Sequence, residues 1–237
     1  MDEEKFLKAV SILQGRYKIK NRKEKPFDVL IHGILSTRTK DTTTFPAQRR
    51  LLSLADTPQK MLKLSDKEIK DVIYPVGFYR TKAKLVKRAC RVLIDKYGGK
   101  VPDTKKDLMS LPGVGHKVAS LVLVWGFGLP FIPVDTHVSR VSQRLGIVKK
   151  GTKPEKIEEF LEGITPAKDR ILLNHLFVTF GRDICKPVSP LCYKCPVYEL
   201  CEFSGKKHYF DRGKNFLTLR RPKVIWSTHT EASQAMS

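Results

Sequence analysis

The chain is predicted to fold as an all-α protein, and three observations point to this class. Apolar residues recur mostly at intervals of three and four, which is the spacing of one helix face. Alternating runs of β-branched residues, which a half-buried strand needs, are few. Short polar or glycine joints separate the periodic segments at residues 18–26, 98–100, 149–151 and 165–166.

The periodic segments predict a series of helices joined by these short connections. Capping residues support two of the helix starts: Asp103 or Thr104 precedes one short helix, and Asp135 precedes another that begins at Thr136. In chain order, the predicted helices span residues 3–14, 27–37, 40–54, 58–63, 66–74, 81–97, 104–110, 116–126, 136–145, 154–163 and 167–182.

The charge balance indicates a polyanionic partner. The 237 residues include 45 Lys and Arg against 24 Asp and Glu, which leaves a net charge of +21. A lysine-rich surface of the heat-adapted type would balance its lysines with glutamates, so nucleic acid is the better explanation.

No secretion or membrane signal is visible in the sequence. Asp2, Glu3 and Glu4 stand where a secretory signal needs an apolar stretch, and no apolar run approaches the ~20 residues of a bilayer span. We therefore expect an intracellular protein with no membrane association, in the cytoplasm or nucleoid, or in the nucleus if the organism is eukaryotic.

A glycine hairpin with the sequence LPGVGHK occupies residues 111–117, and VDTH follows at residues 134–137. Gly113 and Gly115 allow a tight turn and a close approach to a phosphate, and the helix that they open directs unpaired N–H groups outward. Lys117 and Asp135 add an amine and a carboxylate to this phosphate-binding turn. Such a turn is common by itself, whereas its combination with Lys117 and Asp135 is a specific signal.

Four of the five cysteines form a C-x6-C-x2-C-x5-C pattern, whereas Cys90 stands apart and is predicted to be a core residue. A segment of this length is too short to fold around its own core, so converging thiolates imply a metal centre. The spacing by itself leaves zinc and iron–sulfur both open. The candidate ligands are Cys185, Cys192, Cys195 and Cys201.

From about Phe27 to Cys201 the chain resembles the endonuclease III family of the helix-hairpin-helix DNA glycosylase superfamily. The resemblance rests on LPGVG-x-K, VDTH and the cysteine spacing. It implies a helical barrel of residues 19–129 with the hairpin motif at about 104–126, and an iron–sulfur domain of residues 1–18 plus 130–204. A DNA-binding cleft would separate the two domains, and the cysteines would hold a [4Fe–4S] cluster.

The resemblance also implies an activity, which is removal of oxidised pyrimidines of the thymine glycol type by a monomeric enzyme acting on double-stranded DNA. Lys117 would attack the sugar C1′, displace the damaged base and form a Schiff base that permits β-elimination of the 3′ phosphate. The positive end of the helix dipole, nearby cations and burial are all expected to lower the pKa of this lysine. Asp135 would stabilise positive charge on the sugar.

Several residues are expected to contact DNA. In the family, a Gln fills the space left by the extruded base and a Leu wedges the opposite strand; Arg38 and Phe78 occupy the aligned positions here, so lesion and opposite-base preference are open. The other predicted DNA-binding residues are Leu111, Gly113, Val114, Gly115, His116 and Lys194.

Two alternatives stay open at this point. One is a monofunctional mismatch glycosylase, although such enzymes carry a residue other than lysine at position 117. The other is a non-catalytic DNA-binding protein, which would have little use for Lys117 and Asp135 together. Residues 205–237 lie beyond the resemblance and are predicted to be a basic, flexible extension.

Overall fold

The computed structural model describes residues 3–21 and 23–219, and within them every regular element is a helix. The predicted all-α class is therefore confirmed. The predicted capping residues also hold in two places. The Thr104 hydroxyl accepts the N–H of Asp107 at 3.2 Å, and the Asp135 carboxylate accepts two backbone N–H groups at the start of the next helix.

Seven helices surround a first hydrophobic core, which contains the buried apolar residues between Phe27 and Leu123. These helices are α2 (Pro26–Ser36), α3 (Asp41–Leu54), α4 (Pro58–Lys63), α5 (Asp66–Ile73), α6 (Tyr79–Tyr97), α7 (Lys105–Met109) and α8 (His116–Leu121). α7 and α8 are the two arms of the glycine hairpin. α8 continues into a π-helical turn, Val122–Phe127, which ends at Gly128 with a φ of 75°.

A second core joins the N-terminal helix to the later part of the chain, because buried apolar residues from Phe6 to Leu13 pack with those from Ile132 to Val197. The helices around it are α1 (Glu3–Arg16), α9 (Thr136–Leu145), α10 (Pro154–Ile164) and α11 (Ala167–Asp183). The domain division at residues 18/19 and 129/130 stays a prediction, and the separation of the two cores supports it.

The C-terminal segment differs from its prediction. A helix, α12 (Lys206–Leu219), follows the cysteine segment where a flexible extension was expected. Lys206 Nζ donates to the carbonyls of Tyr198 and Cys201 at 3.1 and 2.6 Å, and the ring of Phe210 packs 4.7 Å from that of Tyr198. The prediction was wrong for this stretch because these contacts order a sequence whose composition is mainly basic. The rest of the predicted extension, residues 220–237, lies outside the described residues.

Among the helices described, none has the length and apolar character needed to cross a membrane.

Candidate active site in the cleft between the two cores

A cleft of about 1040 Å³ runs between the two cores. Residues from both cores line it, so the two predicted catalytic residues meet there although they come from different helices. The lining includes Ser36, Arg38 and Lys117 from the first core and Asp135, His137 and Arg182 from the second.

Lys117 lies in the first turn of α8, where its Nζ donates to Ser36 Oγ at 3.4 Å. The side chain keeps some contact with the solvent of the cleft but is enclosed by protein on most sides. This burial lowers the pKa of Lys117, while the carboxylates of Asp135 and Asp41 act in the opposite direction. The direction agrees with the sequence-based expectation, but desolvation is the largest cause. The structure therefore favours an amine that loses its proton more readily than an ordinary lysine.

Asp135 is the N-cap of α9, and its Oδ1 accepts the N–H groups of His137 and Val138 at 2.8 and 2.9 Å. Both bonds use the same oxygen, so Oδ2 is not required for the cap. The capping bonds fix the carboxylate at the wall of the cleft. Asp135 can therefore act as a rigid negative charge facing the cleft that also contains Lys117.

His137 is a hydrogen-bonding neighbour of this pair. Its Nδ1 lies 3.0 Å from Nη2 of Arg140, which donates because a guanidinium has no acceptor. Burial lowers the pKa of His137, with Arg140 and Arg182 acting in the same direction and Asp135 against it. The imidazole is thus held neutral, with Nδ1 occupied by an arginine. This arrangement indicates that His137 is a hydrogen-bonding neighbour of Asp135 and does not act as a general base.

The glycine hairpin divides into buried and open positions. The side chains of Leu111 and Val114 are only 2% and 8% exposed, and their N–H groups donate to Leu108 O and Leu111 O within the turn. These two residues therefore shape the hairpin from inside, and the predicted DNA contacts are better placed on Gly113, Gly115 and the partly exposed His116.

The two glycines differ in whether the fold needs them. Gly113 has a φ of 85°, a left-handed conformation that favours glycine. Gly115 has an ordinary extended conformation, and a Cβ added there would meet no protein atom within 4 Å. The fold therefore does not need glycine at position 115, and the surface at the N-terminus of α8 is open there.

Arg38 and Phe78 lie next to each other on a rim of the first core, where Arg38 lines the cleft on the same side as Ser36 and Lys117. Both have left-handed backbone conformations, with φ of 51° and 58°. Phe78 is 62% exposed, and the guanidinium carbon of Arg38 lies 5.9 Å from the centre of its ring. Large side chains are thus presented at the rim by a backbone conformation that such residues seldom adopt.

Sequence reasoning missed Ser36 and an ion pair between the two cores. Arg182 Nη2 on α11 lies 2.6 Å from Asp41 Oδ2 at the start of α3. Ser36 and Asp41 lie two and three residues from Arg38 in the sequence, so the predicted role of Arg38 was an available signal for this segment. Arg182 gave no such signal, because its partner is 141 residues away.

The four cysteines line one small cavity together with Leu145, Phe180, Ile184, Phe203 and Arg144. Burial, and secondly the neighbouring cysteines, raise the pKa of Cys192 to about 11. Burial likewise raises the pKa of Cys195 to about 12, so these thiols are protonated at neutral pH without a metal. Within the described part of the chain, no group of three or more His, Cys, Asp or Glu side chains is placed to hold a metal ion.

The donor set nevertheless fits an iron–sulfur group, because four cysteines in an apolar surrounding are its usual ligands. Ligand thiols must lose their protons when metal binds, and a metal site is rarely preformed without its metal. Two arginines of α9 connect this segment to the helix that Asp135 caps. Arg140 Nε donates to Cys185 O at 2.9 Å, and Arg144 Nη1 donates to Lys186 O at 2.6 Å.

Comparison with known proteins agrees with this architecture. The family model described as HhH-GPD superfamily base excision DNA repair protein matches residues 31–167, which is more than half of the chain. Two helical cores, a cleft between them and a glycine hairpin at its wall thus define a protein of the helix-hairpin-helix base excision repair class.

Relatives narrow this class. Endonuclease III of Thermotoga maritima is 45% identical over 196 residues, covering 82% of this chain and 89% of the relative. Endonuclease III of Escherichia coli K12 is 36% identical over 181 residues, covering 76% and 85%. A solved structure of a trapped endonuclease III–DNA covalent intermediate has a TM-score of 0.82 and 34% identity, covering 88% of this chain and 99% of that one. The chain belongs to the endonuclease III family.

Proposed function

We propose that this protein is a bifunctional DNA glycosylase and abasic-site lyase of base excision repair. The observation that carries the proposal is the pairing of Lys117 and Asp135 in one cleft, where burial lowers the pKa of the amine and the helix cap fixes the carboxylate. A non-catalytic DNA-binding protein has no need for a buried lysine opposite a carboxylate.

The reaction begins with the neutral amine of Lys117, which attacks C1′ of the damaged nucleotide while the bond from C1′ to the base breaks and the base leaves with the bonding electrons. Asp135 stabilises the positive charge that develops on the sugar. Opening of the sugar ring then gives a protonated imine between Lys117 and C1′. A general base then removes a proton from C2′, the C3′–O bond breaks, and the 3′ phosphate departs by β-elimination.

Binding of DNA requires contacts on both sides of the cleft. The N-terminus of α8 with Gly113, Gly115 and His116 suits a backbone phosphate. Lys194 is exposed within the cysteine segment, between Cys192 and Cys195, and adds positive charge there. Because the target base must leave the stack before Lys117 can reach its sugar, Arg38 would fill the gap and Phe78 would wedge the opposite strand.

The substrates are inferred from the family. Relatives named endonuclease III, and a relative trapped as a covalent intermediate with DNA, support duplex DNA as the partner and covalent chemistry as the route. We infer oxidised pyrimidines such as thymine glycol as the damaged bases, with the protein acting as a monomer on cellular DNA.

We also infer that Cys185, Cys192, Cys195 and Cys201 hold a [4Fe–4S] cluster. Four cysteine donors around one apolar cavity and membership of the endonuclease III family support this cofactor. Base release and β-elimination transfer no electrons, so the cluster would supply a structural cross-link. Through Arg140 and Arg144, this cross-link would hold α9 in place and with it Asp135.

The test is borohydride trapping of the purified protein on two duplexes, one with thymine glycol and one with an abasic site. A trapped complex on both is the expected result. Trapping on the abasic duplex alone would retain the lyase and move the substrate to another damaged base. Base release without trapping would instead indicate a monofunctional glycosylase that uses water, and neither activity would indicate a protein that only binds DNA.

A further inference from the structure

Lys82 on α6 is a charged residue that the mechanism above does not use. Its side chain is 3% exposed, and its Nζ donates to Leu35 O at 2.7 Å, Thr37 O at 2.5 Å and Thr39 Oγ1 at 2.9 Å. An ammonium group has three donors, so these three oxygens use all of them. The acceptors are neutral, and burial lowers the pKa of Lys82 to about 8. Burying this charge is costly, which indicates that the contacts serve a purpose.

The three acceptors surround Arg38 in the sequence. Leu35 lies in the last turn of α2, while Thr37 and Thr39 are the residues on either side of Arg38. Thr39 N also donates to Ser36 O at 3.1 Å, which closes the turn. Capping of α2 would account for the bond to Leu35 O but not for the bond to Thr39 Oγ1. The contacts of Lys82 therefore fix the turn that holds Arg38 in its left-handed conformation.

The same lysine is connected to the loop of Phe78. The backbone N–H of Lys82 donates to Phe78 O at 3.0 Å, an ordinary first-turn bond of α6 that does not depend on the lysine side chain. Gly77 lies so close to the first loop that an added Cβ would be 3.1 Å from both Arg38 O and Thr39 Oγ1. The loops of residues 37–39 and 77–79 are therefore in direct contact, with Lys82 beneath them and the two large side chains adjacent at the surface.

We propose that Lys82 is a positioning residue that holds Arg38 and Phe78 as one rigid, two-pronged wedge, which opens the base pair at a damaged nucleotide. The inference rests on the proposed function and adds the residue that positions the two side chains used in base flipping. Lys82 acts through these two residues and does not touch the reacting atoms. Ser36, which contacts Lys117, has its own hydrogen bond within α2, from Oγ to Gly33 O at 3.1 Å, so we expect the nucleophile to stay in place when the Lys82 contacts are lost.

The test compares Lys82→Met with a matched control on the same helix. Lys87 Nζ also donates to a backbone carbonyl, Leu64 O at 2.9 Å, and pairs with Asp66 Oδ1 at 3.3 Å; these partners are far from residues 35–39, so Lys87→Met is the control. Single-turnover rates are measured on a base-paired thymine glycol duplex and on an abasic-site duplex, where no base has to be unpaired. Fluorescence of a 2-aminopurine beside the lesion reports the unstacking directly.

Unstacking a base step costs a few kcal/mol, so Lys82→Met should slow release of the paired base by about 10- to 100-fold and weaken the fluorescence change. Strand cleavage at the abasic site should stay within about twofold of wild type, and Lys87→Met should leave both rates within about twofold. An equal loss on both duplexes, or no loss on the paired one, would overturn the proposal.

A second variant decides the matter if Lys82→Met does not fold. Thr39→Val keeps the lysine and the shape of the loop but removes one acceptor, and it should give the same selective loss at smaller amplitude. An equal effect of Thr39→Val on both duplexes would again contradict the wedge. A failure of the proposed function itself is distinguishable, since wild type would then cleave neither duplex.

Discussion

Two surfaces of the first core, both beside the cleft, present their residues in opposite ways. On the hairpin wall, glycines lie at the surface and the aliphatic side chains of Leu111 and Val114 are turned inward, so the backbone itself is exposed to a ligand. On the rim formed by residues 37–39 and 77–79, Arg38 and Phe78 occupy left-handed positions where glycine would be easier, and their side chains project outward.

This difference indicates that the two surfaces have separate roles in binding DNA. A bare backbone at a helix N-terminus suits phosphate, which every nucleotide carries. Projecting side chains suit the bases, which differ between sites. The hairpin wall also carries Lys117 and lies across the cleft from Asp135, so we expect loss of Lys117 to abolish chemistry and changes at the rim to alter recognition.

The largest effect is expected from Lys117→Ala. Removal of the amine should abolish the borohydride-trapped complex, because the imine forms on this amine. DNA affinity, measured by fluorescence anisotropy, should stay within about threefold of wild type, since the phosphate contacts are backbone groups. An undiminished trapped complex would show that another residue is the nucleophile.

Asp135→Asn should produce the next largest loss. Asn caps a helix about as well as Asp, so α9 and the thermal midpoint should be preserved. The negative charge is lost, and single-turnover base release should slow by about 10²- to 10⁴-fold. Equal losses in DNA affinity and in rate would reduce Asp135 to a structural cap.

Phe78→Ala should have a selective effect at the rim. The ring is 62% exposed, so its removal should change the free energy of unfolding by only about 0.5 kcal/mol. Release of a paired damaged base should slow by about tenfold, whereas cleavage at an abasic site should be nearly unchanged. Equal slowing of both reactions would contradict the separate roles of the hairpin wall and the Arg38–Phe78 rim.

The smallest effects separate the two hairpin glycines. Gly113→Ala should destabilise the fold by about 1–2 kcal/mol, because a left-handed φ is imposed on alanine and Leu85 lies close by.

Gly115→Asn should leave the denaturation midpoint unchanged, since Asn is a good N-cap and the space around Cβ is open. It should still weaken DNA binding by about 1 kcal/mol by crowding a phosphate. Unchanged affinity for Gly115→Asn would argue against a phosphate at this position.

Local patterns predicted much of the fold and the centre of the site. Helix α9 and its cap Asp135 could be predicted because a cap and an apolar period lie within a few residues of each other. The role of Lys82 could not, because its acceptors lie more than 40 residues earlier in the chain and no motif links them. α12 was missed for a similar reason: its order depends on packing against Tyr198, which composition does not reveal.

The central claim is that Lys117 is the group that bonds to DNA, and peptide mapping of the borohydride-reduced complex tests it most directly. After digestion of protein and DNA, mass spectrometry should find the sugar remnant on Lys117. A remnant on the N-terminal amine or on any other lysine would contradict the account, whatever the activity of the Lys117 variants.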